Sequence, residues 1–244
     1  FFRASLLAGG NRNESCAQLR RKGEDVSDAY QITPHTKFRV NCDMVTDGGG
    51  WTIFQRRNPY EYKENLFEKS VDDYEKGFGE AFGSYWIGNA NLHVLTAFPS
   101  NPQVLRIEIT TKAGKNITVE YDHFEVGSKK DLYKLTIGNY EGPEGYDALR
   151  PQNGHGFITG SKQYTDNYQG CYTIQSGGWW GNECFRSNLN GKRFTSDPNN
   201  ENKKGLGITW AKEGDTASNN ENYELVEMKI RDADFKFCMG KMAN

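Results

Sequence analysis

Residues 105–126, LRIEITTKAGKNITVEYDHFEV, alternate apolar and polar side chains on both sides of AGKN. A period of two marks a strand with one buried face, and the short glycine-containing break reverses the chain, so an antiparallel hairpin is predicted here. The chain is thereby committed to a sheet built partly from sequence neighbours. KFRVNCDM and WTIFQRR flank VTDGGG and predict a second strand pair with a glycine-rich turn. LYKLTIGNYEG supplies another strand, as does YELVEMKIRD with its imperfect alternation. From Leu66 onward glycines interrupt the pattern too often for one long helix, but NLHVLTAF predicts a short helix capped by its asparagine.

Residues 142–210 break this regularity. They are rich in Gly, Asn, Asp and Ser, and a long irregular region in a compact domain is commonly a binding surface; an ordered loop region without a ligand is the alternative. Within it, GGWWGNECFRSNLNG sets two tryptophans beside a cysteine. Residues 1–15 have no period and read as an N-terminal extension. FFRASLLAGG is too short for a signal peptide, so a secretion signal is expected to have been removed or to lie outside this chain. With no collagen triplet or heptad repeat, any oligomerising stalk is expected to be absent or replaced.

Composition decides among function classes. A formal net charge of -2, with basic and acidic residues interspersed, favours neither nucleic acid nor an anionic membrane, and no apolar run is long enough to span a bilayer. The five cysteines, Cys16, Cys42, Cys171, Cys184 and Cys238, form two local pairs and one remainder. Without Cys-x-x-Cys or nearby clustered histidines, this reads as two disulfides in an extracellular domain rather than zinc. Cys16 bonded to Cys42 would staple the leading segment to the first hairpin, and Cys238 is either a buried thiol or an interchain bond. The sequons at Asn13 and Asn116 agree with secretion. No Gly-x-Ser-x-Gly, His-Glu-x-x-His or phosphate-binding glycine loop is present, and His93 and His123 fall in a predicted helix and strand as structural residues, so a non-enzymatic protein is expected.

FRVNCDMVTDGGGWTIFQRR, GFGEAFGSYWIGNANLHVLT, LRIEITT, GCYTIQSGGWWGNECFRSNLNG, GITW and VEMKIR, in this order from about residue 14 to 232, resemble the fibrinogen C-terminal domain family of fibrinogen chain ends, ficolins, tachylectins, angiopoietins and tenascins. The resemblance implies an α+β fold: a small N-terminal subdomain holding Cys16 and Cys42, a central mixed β-sheet with short helices, and a loop-rich C-terminal subdomain holding Cys171 and Cys184. Residues 1–13 are then an extension and 14–244 the domain, with the binding subdomain at about 142–220. The resemblance further implies burial of Trp179 and Trp180 as a small core. Ser187, Asn188 and Asn190 are expected to bond loop backbone, and Gly191 to suit a turn.

The calcium loop and ligand pocket that the resemblance implies are altered here. The two aspartates of the family's calcium loop fall on Ser161 and Gln163, with Asp166 the nearest replacement; calcium affinity follows the number of charged oxygen ligands, so an empty or weak site is expected. Asp197, Asn199 and Glu201 lack calcium-loop offsets and read as solvated. Positions of the family's acetyl-group pocket carry Gln175, Phe185, Lys204 and Gly205. Phe185 keeps an aromatic wall without an imidazole, and Lys204 with Lys203 would suit an acidic glycan. Glu183 precedes Cys184 where several relatives have a cis peptide.

Two functions follow from this reading. One is a secreted, calcium-independent lectin of the innate-immune kind, binding a glycan or acetylated ligand as an oligomer. The other is an extracellular matrix or receptor-binding domain whose partner is a protein and whose sugar pocket is vestigial.

Overall fold

The computed structural model describes residues 15–34, 37–61, 66–80, 82–159, 176–181, 186–193, 207–215, 218 and 223–238. Helix α1 (Cys16–Arg21) opens it, capped by Ser15, whose hydroxyl accepts the Gln18 N–H at 3.2 Å. Strands β1 (Asp28–Ile32), β2 (Phe38–Asp43) and β3 (Trp51–Arg57) follow, then α2 (Val71–Lys76), the short hairpin β4 (Phe78–Gly79) and β5 (Tyr85–Trp86), and α3 (Asn89–Thr96). Next come β6 (Gln103–Thr111), β7 (Asn116–Val126), β8 (Leu135–Ile137) and β9 (Tyr140–Glu141). The loop-rich part contributes β10 (Phe157–Thr159), β11 (Gly178–Trp180), β12 (Ser187–Asn188) and β13 (Thr209–Trp210), before β14 (Tyr223–Asp232) and α4 (Phe235–Cys238).

The main sheet runs β1-β2-β3-β14-β6-β7-β8, with β5 and β9 adding to β3 and β7. The hairpins 103–126 and 38–57 form as the alternation requires: β6 buries every second side chain along its length. The α+β description holds, but the central sheet is not mixed in the described residues. Every ladder there is antiparallel, because the strands are joined by tight reversals or, for β14, entered by a long return; the one parallel pairing is an isolated bridge between Lys192 and Gly207. LYKLTIGNYEG is two strands rather than one, since Gly138 N–H turns to the His123 carbonyl between β8 and β9.

The helix at NLHVLTAF starts three residues earlier than its asparagine cap predicts. Gly88, at φ 101°, occupies the cap position, while Asn91 lies inside the helix and its Nδ2 donates to the Ile87 carbonyl at 2.9 Å. A Cβ on Gly88 would stand 2.7 Å from the Lys76 carbonyl carbon, so close approach of α2 selects glycine over a polar cap here. Helix α3 is pinned to β7 because Thr96 Oγ1 accepts the Val126 N–H and His93 Nδ1 donates to the Val126 carbonyl, at 2.9 and 2.8 Å. His123 stands half-exposed on β7, 3.8 Å from Glu125.

The sheet has two chemically distinct faces. On one, Phe54, Phe124, Trp86 and Tyr74 pack edge-on or stacked beneath α2 and α3. The other carries ions: Lys229 Nζ, 1% exposed, lies 2.8 Å from Asp43 and 2.7 Å from Glu108, and Arg106 bridges Glu108 to Glu120. Burial pushes the Asp43 carboxyl up, but hydrogen bonds from Lys229 and Thr46 more than reverse this and hold it below the usual carboxylate range. Glu108 follows the same pattern through Lys229 and Arg106.

Cys16 and Cys42 are disulfide-bonded, with Cα atoms 5.5 Å apart, fastening α1 to β2. Both are buried. Cys238 closes α4, while Cys171, Cys184 and Asn13 lie outside the described residues.

Candidate functional site

The loop-rich part rests on a frame assembled from short, mostly buried segments. Strands β10 and β11 pair Thr159 with Gly178, Ile158 with Trp179 and Phe157 with Trp180. Both tryptophans are buried, as expected, but they do not form a separate small core. Trp180 packs 5.4 Å from Phe157 and 6.2 Å from both Trp86 and Phe124, joining the core under the main sheet. Its indole N–H donates to the Tyr133 carbonyl at 3.0 Å, and that of Trp179 to Ser187 Oγ at 3.2 Å. Each large ring thus buries its apolar body with its one polar atom satisfied.

SNLNG supplies the polar half of the frame. Asn188 Nδ2 donates to the Ser176 carbonyl at 2.7 Å, Asn190 Nδ2 to the Gly178 carbonyl at 2.8 Å, and the Asn190 N–H to Asn188 Oδ1 at 3.1 Å. The two amides substitute for strand ladders that this segment is too short to make. A Cβ on Gly191 would lie 2.1 Å from the Gly207 carbonyl oxygen, so the chain passes there only as glycine. The expectation of backbone partners therefore holds for Asn188 and Asn190, whereas Ser187 accepts from the Trp179 indole and Gly191 is required by the close approach of Gly207.

Side chains from β3 and the segments after it fix this frame to the sheet. Gln55 Nε2 donates to the Leu189 carbonyl and to Asn190 Oδ1, at 3.0 and 3.1 Å. Arg57, fully buried, stacks 4.1 Å from the Phe67 centroid, and both its Nε and Nη2 donate to the Glu61 carboxylate, at 2.7 and 2.8 Å. Burial alone would raise the Glu61 pKa; the hydrogen bonds from Arg57 carry it below its ordinary value. Arg193 also meets Glu61 and donates to the Tyr223 and Glu224 carbonyls. Glu68 Oε1 accepts the Gly177 N–H at 2.5 Å, and its other oxygen lies 3.6 Å from Lys192.

These four residues, Gln55, Arg57, Glu61 and Glu68, were not singled out by the sequence reading. The signal for Gln55 and Arg57 was the run Gln-Arg-Arg at the end of an otherwise apolar strand, where buried polar side chains must find partners; Glu61 and Glu68 had none.

The residues nominated for recognition, Gln175, Phe185, Lys204 and Gly205, lie outside the described residues. So do Ser161, Gln163 and Asp166 of the altered calcium loop, Glu183, and Asp197, Asn199 and Glu201. Their described neighbours in the chain are in the frame: Ser176 is held by Asn188 and Lys192, Arg186 accepts the Ala211 N–H at 2.8 Å, and Gly207 bridges Lys192. Among the described residues no group of three or more His, Cys, Asp or Glu could hold a metal ion. A groove of about 270 Å³ elsewhere, between β7, β9 and α4, has most of its charges engaged: Arg231 and Lys236 with Asp47, Asp232 with Arg21, Glu120 with Arg106, and Asp122 with Asn139.

The sequence matches the family described as the C-terminal globular domain of fibrinogen beta and gamma chains over residues 12–233. The chain belongs to that family. Human angiopoietin-related protein 7 is 37% identical over 229 residues, 91% of this chain and 62% of that protein. Techylectin-5A of Tachypleus tridentatus is 34% identical over 90% of this chain and 74% of its own length. The chain thus spans less than two thirds of the angiopoietin-related protein it matches.

The solved fibrinogen-like globe domain of human ANGPTL2 superposes with a TM-score of 0.79 at 32% identity, covering 89% of this chain and 98% of that one. Lamprey fibrin D-dimer, solved with the peptide Gly-His-Arg-Pro-amide, gives 0.74 at 27% identity over 90% of this chain and 73% of its own. A fibrinogen-like domain with relatives of angiopoietin and techylectin type is a recognition or interaction domain, and the relatives are consistent with a non-enzymatic protein. No helix among the described residues is long and apolar enough to cross a membrane.

Proposed function

We propose that this protein is a secreted, non-enzymatic recognition domain that binds a glycan or acetylated ligand without calcium, through residues 160–175, 182–185 and 194–206. The observation that carries the reading is the frame formed by their neighbours in the chain: Ser176, Arg186 and Gly207, each one to three residues from Gln175, Phe185 or Gly205 and Lys204, belong to one hydrogen-bonded set locked to the main sheet. Rigid support of variable loops is how a scaffold positions a binding surface. Phe185 then supplies an aromatic wall, Gln175 an amide, and Lys203 with Lys204 the charge that selects acidic sugars. Ser161 and Gln163 in place of two carboxylates support calcium independence. Single-site sugar affinity is weak and is raised by multivalency, so the reading includes a homo-oligomer, with Cys238 as a candidate interchain thiol.

Glycan-array binding, run with calcium and with a chelator, tests this. Binding to one sugar class in both conditions, reduced at least tenfold by Phe185→Ala and by Lys204→Ala, is expected. Silence in both conditions would transfer the assignment to a protein partner, the reading that the angiopoietin-related relatives favour. Light scattering reads the oligomer, and intact mass with and without reductant reads Cys238.

A further inference from the structure

We propose that Asn116 carries an N-linked glycan, displayed at the tip of the β6–β7 hairpin. The sequon Asn116-Ile117-Thr118 opens β7, and strand alternation separates its parts: Ile117 is 3% exposed in the core, while Asn116 is exposed. Residues 112–116 are all exposed, and a Cβ on Gly114 would meet nothing within 4 Å, so the tip stands clear of the protein.

The side-chain amide is also oriented for it. Thr110, the register partner of Asn116, donates its hydroxyl to Asn116 Oδ1 at 2.9 Å. That contact uses the oxygen and leaves Nδ2, the atom that bears sugar, without a partner among the described residues. The Cys16–Cys42 disulfide is an independent observation, because disulfides form in the same oxidising compartment where N-glycans are added.

Transfer occurs on the extended chain, from an oligosaccharide linked to a polyisoprenyl diphosphate. Asn116 Nδ2 forms the bond to C1 of the first sugar, the C1–O bond to diphosphate breaks with the electron pair leaving on the lipid diphosphate, and one Nδ2 proton passes to a base of the transferase. The folded hairpin accommodates the product: Oδ1 still accepts from Thr110, and the remaining N–H faces solvent. Lys115, the preceding residue, reaches the Tyr146 hydroxyl at 2.7 Å, and the Tyr146 carbonyl accepts from Trp210. Lys115 thus faces the loop-rich part, whereas Asn116 stands on the opposite, ionic face with Thr110, and the glycan covers the end of that face.

The inference rests only on the secretory routing of the proposed function, not on its ligand. The full chain, secreted from animal cells behind a host leader, is digested and its glycopeptides are mapped before and after peptide N-glycosidase F. Sugar on the peptide containing Asn116, converted to Asp by the enzyme, is expected. Asn116→Gln and Thr118→Ala should each lose that one glycan, and Thr118→Ser should keep it. An unmodified Asn116 peptide from secreted, disulfide-bonded wild-type protein overturns the inference, whether or not the variants fold. Sugar at Asn13 maps to a different peptide, and silence on the glycan array leaves the inference untouched.

Discussion

Arg57 Nη1 donates to the Gly191 carbonyl oxygen at 2.6 Å from a side chain with no exposed surface. It reaches the Leu189 carbonyl as well, at 3.1 Å, so one guanidinium at the end of β3 holds both sides of the turn at the base of the candidate site. Arg57→Leu leaves the buried Glu61 carboxylate with the longer Arg193 contact alone and should cost about 3 kcal/mol. Arg57→Lys should recover little, since an ammonium cannot span Glu61 and two carbonyls at once. Urea unfolding midpoints of the three proteins measure this.

Gly177 sits at φ 68°, and a Cβ there would come within 2.2 Å of the Asn190 carbonyl oxygen. Gly177→Ala should destabilise by about 1 to 3 kcal/mol from backbone strain, with the displaced contact adding to it. The loss should be local: hydrogen exchange at the Trp179 and Trp180 amides rises before that of β6 and β7.

Acid should weaken the ionic face of the sheet. Asp43 and Glu108 have folded pKa values below their unfolded ones, so their contribution is present above the unfolded values near ~4 and is lost as pH falls through the folded ones. Burial pulls the Lys229 pKa down, but Asp43 and Glu108 carry it above its ordinary value; its contribution is full below about 10.4 and fades as pH rises through the folded value. A stability plateau from about pH 5 to 10 is expected. Lys229→Met should lower the plateau and flatten the acid limb, read from urea midpoints across pH.

The Cys16–Cys42 bond closes a span of 26 residues and should be worth about 3 to 4 kcal/mol by loop entropy. Replacing both cysteines with serine and comparing unfolding midpoints tests the magnitude. Because both sulfurs are buried, reductant should leave the bond intact in native buffer and cleave it in denaturant.

The sequence disclosed those parts of the fold whose signal is local. Hairpins 38–57 and 103–126 and strand 223–232 were legible because alternation at period two is written along each segment. The position of β14 between β3 and β6 was not, since strand order depends on which faces meet after folding. The Gly88 cap escaped for a similar reason: what excludes a side chain there is α2, which lies earlier in the chain. At the candidate site, Asn188 and Asn190 could be anticipated as backbone donors, whereas the carbonyls that Arg57 and Gln55 hold lie more than a hundred residues away. Gln175, Phe185, Lys204 and Gly205 came from aligning motifs to a family and stand as proposals.

The central position of β14 bears on synthesis. A nascent chain that has emerged only as far as β13 holds β1-β2-β3 and β6-β7-β8 as two half-sheets, each with an open inner edge and no partner for it. Unpaired strand edges recruit other chains. The domain is therefore most exposed to aggregation in the interval before residues 223–232 leave the ribosome, and a chaperone that shields sheet edges would protect it then.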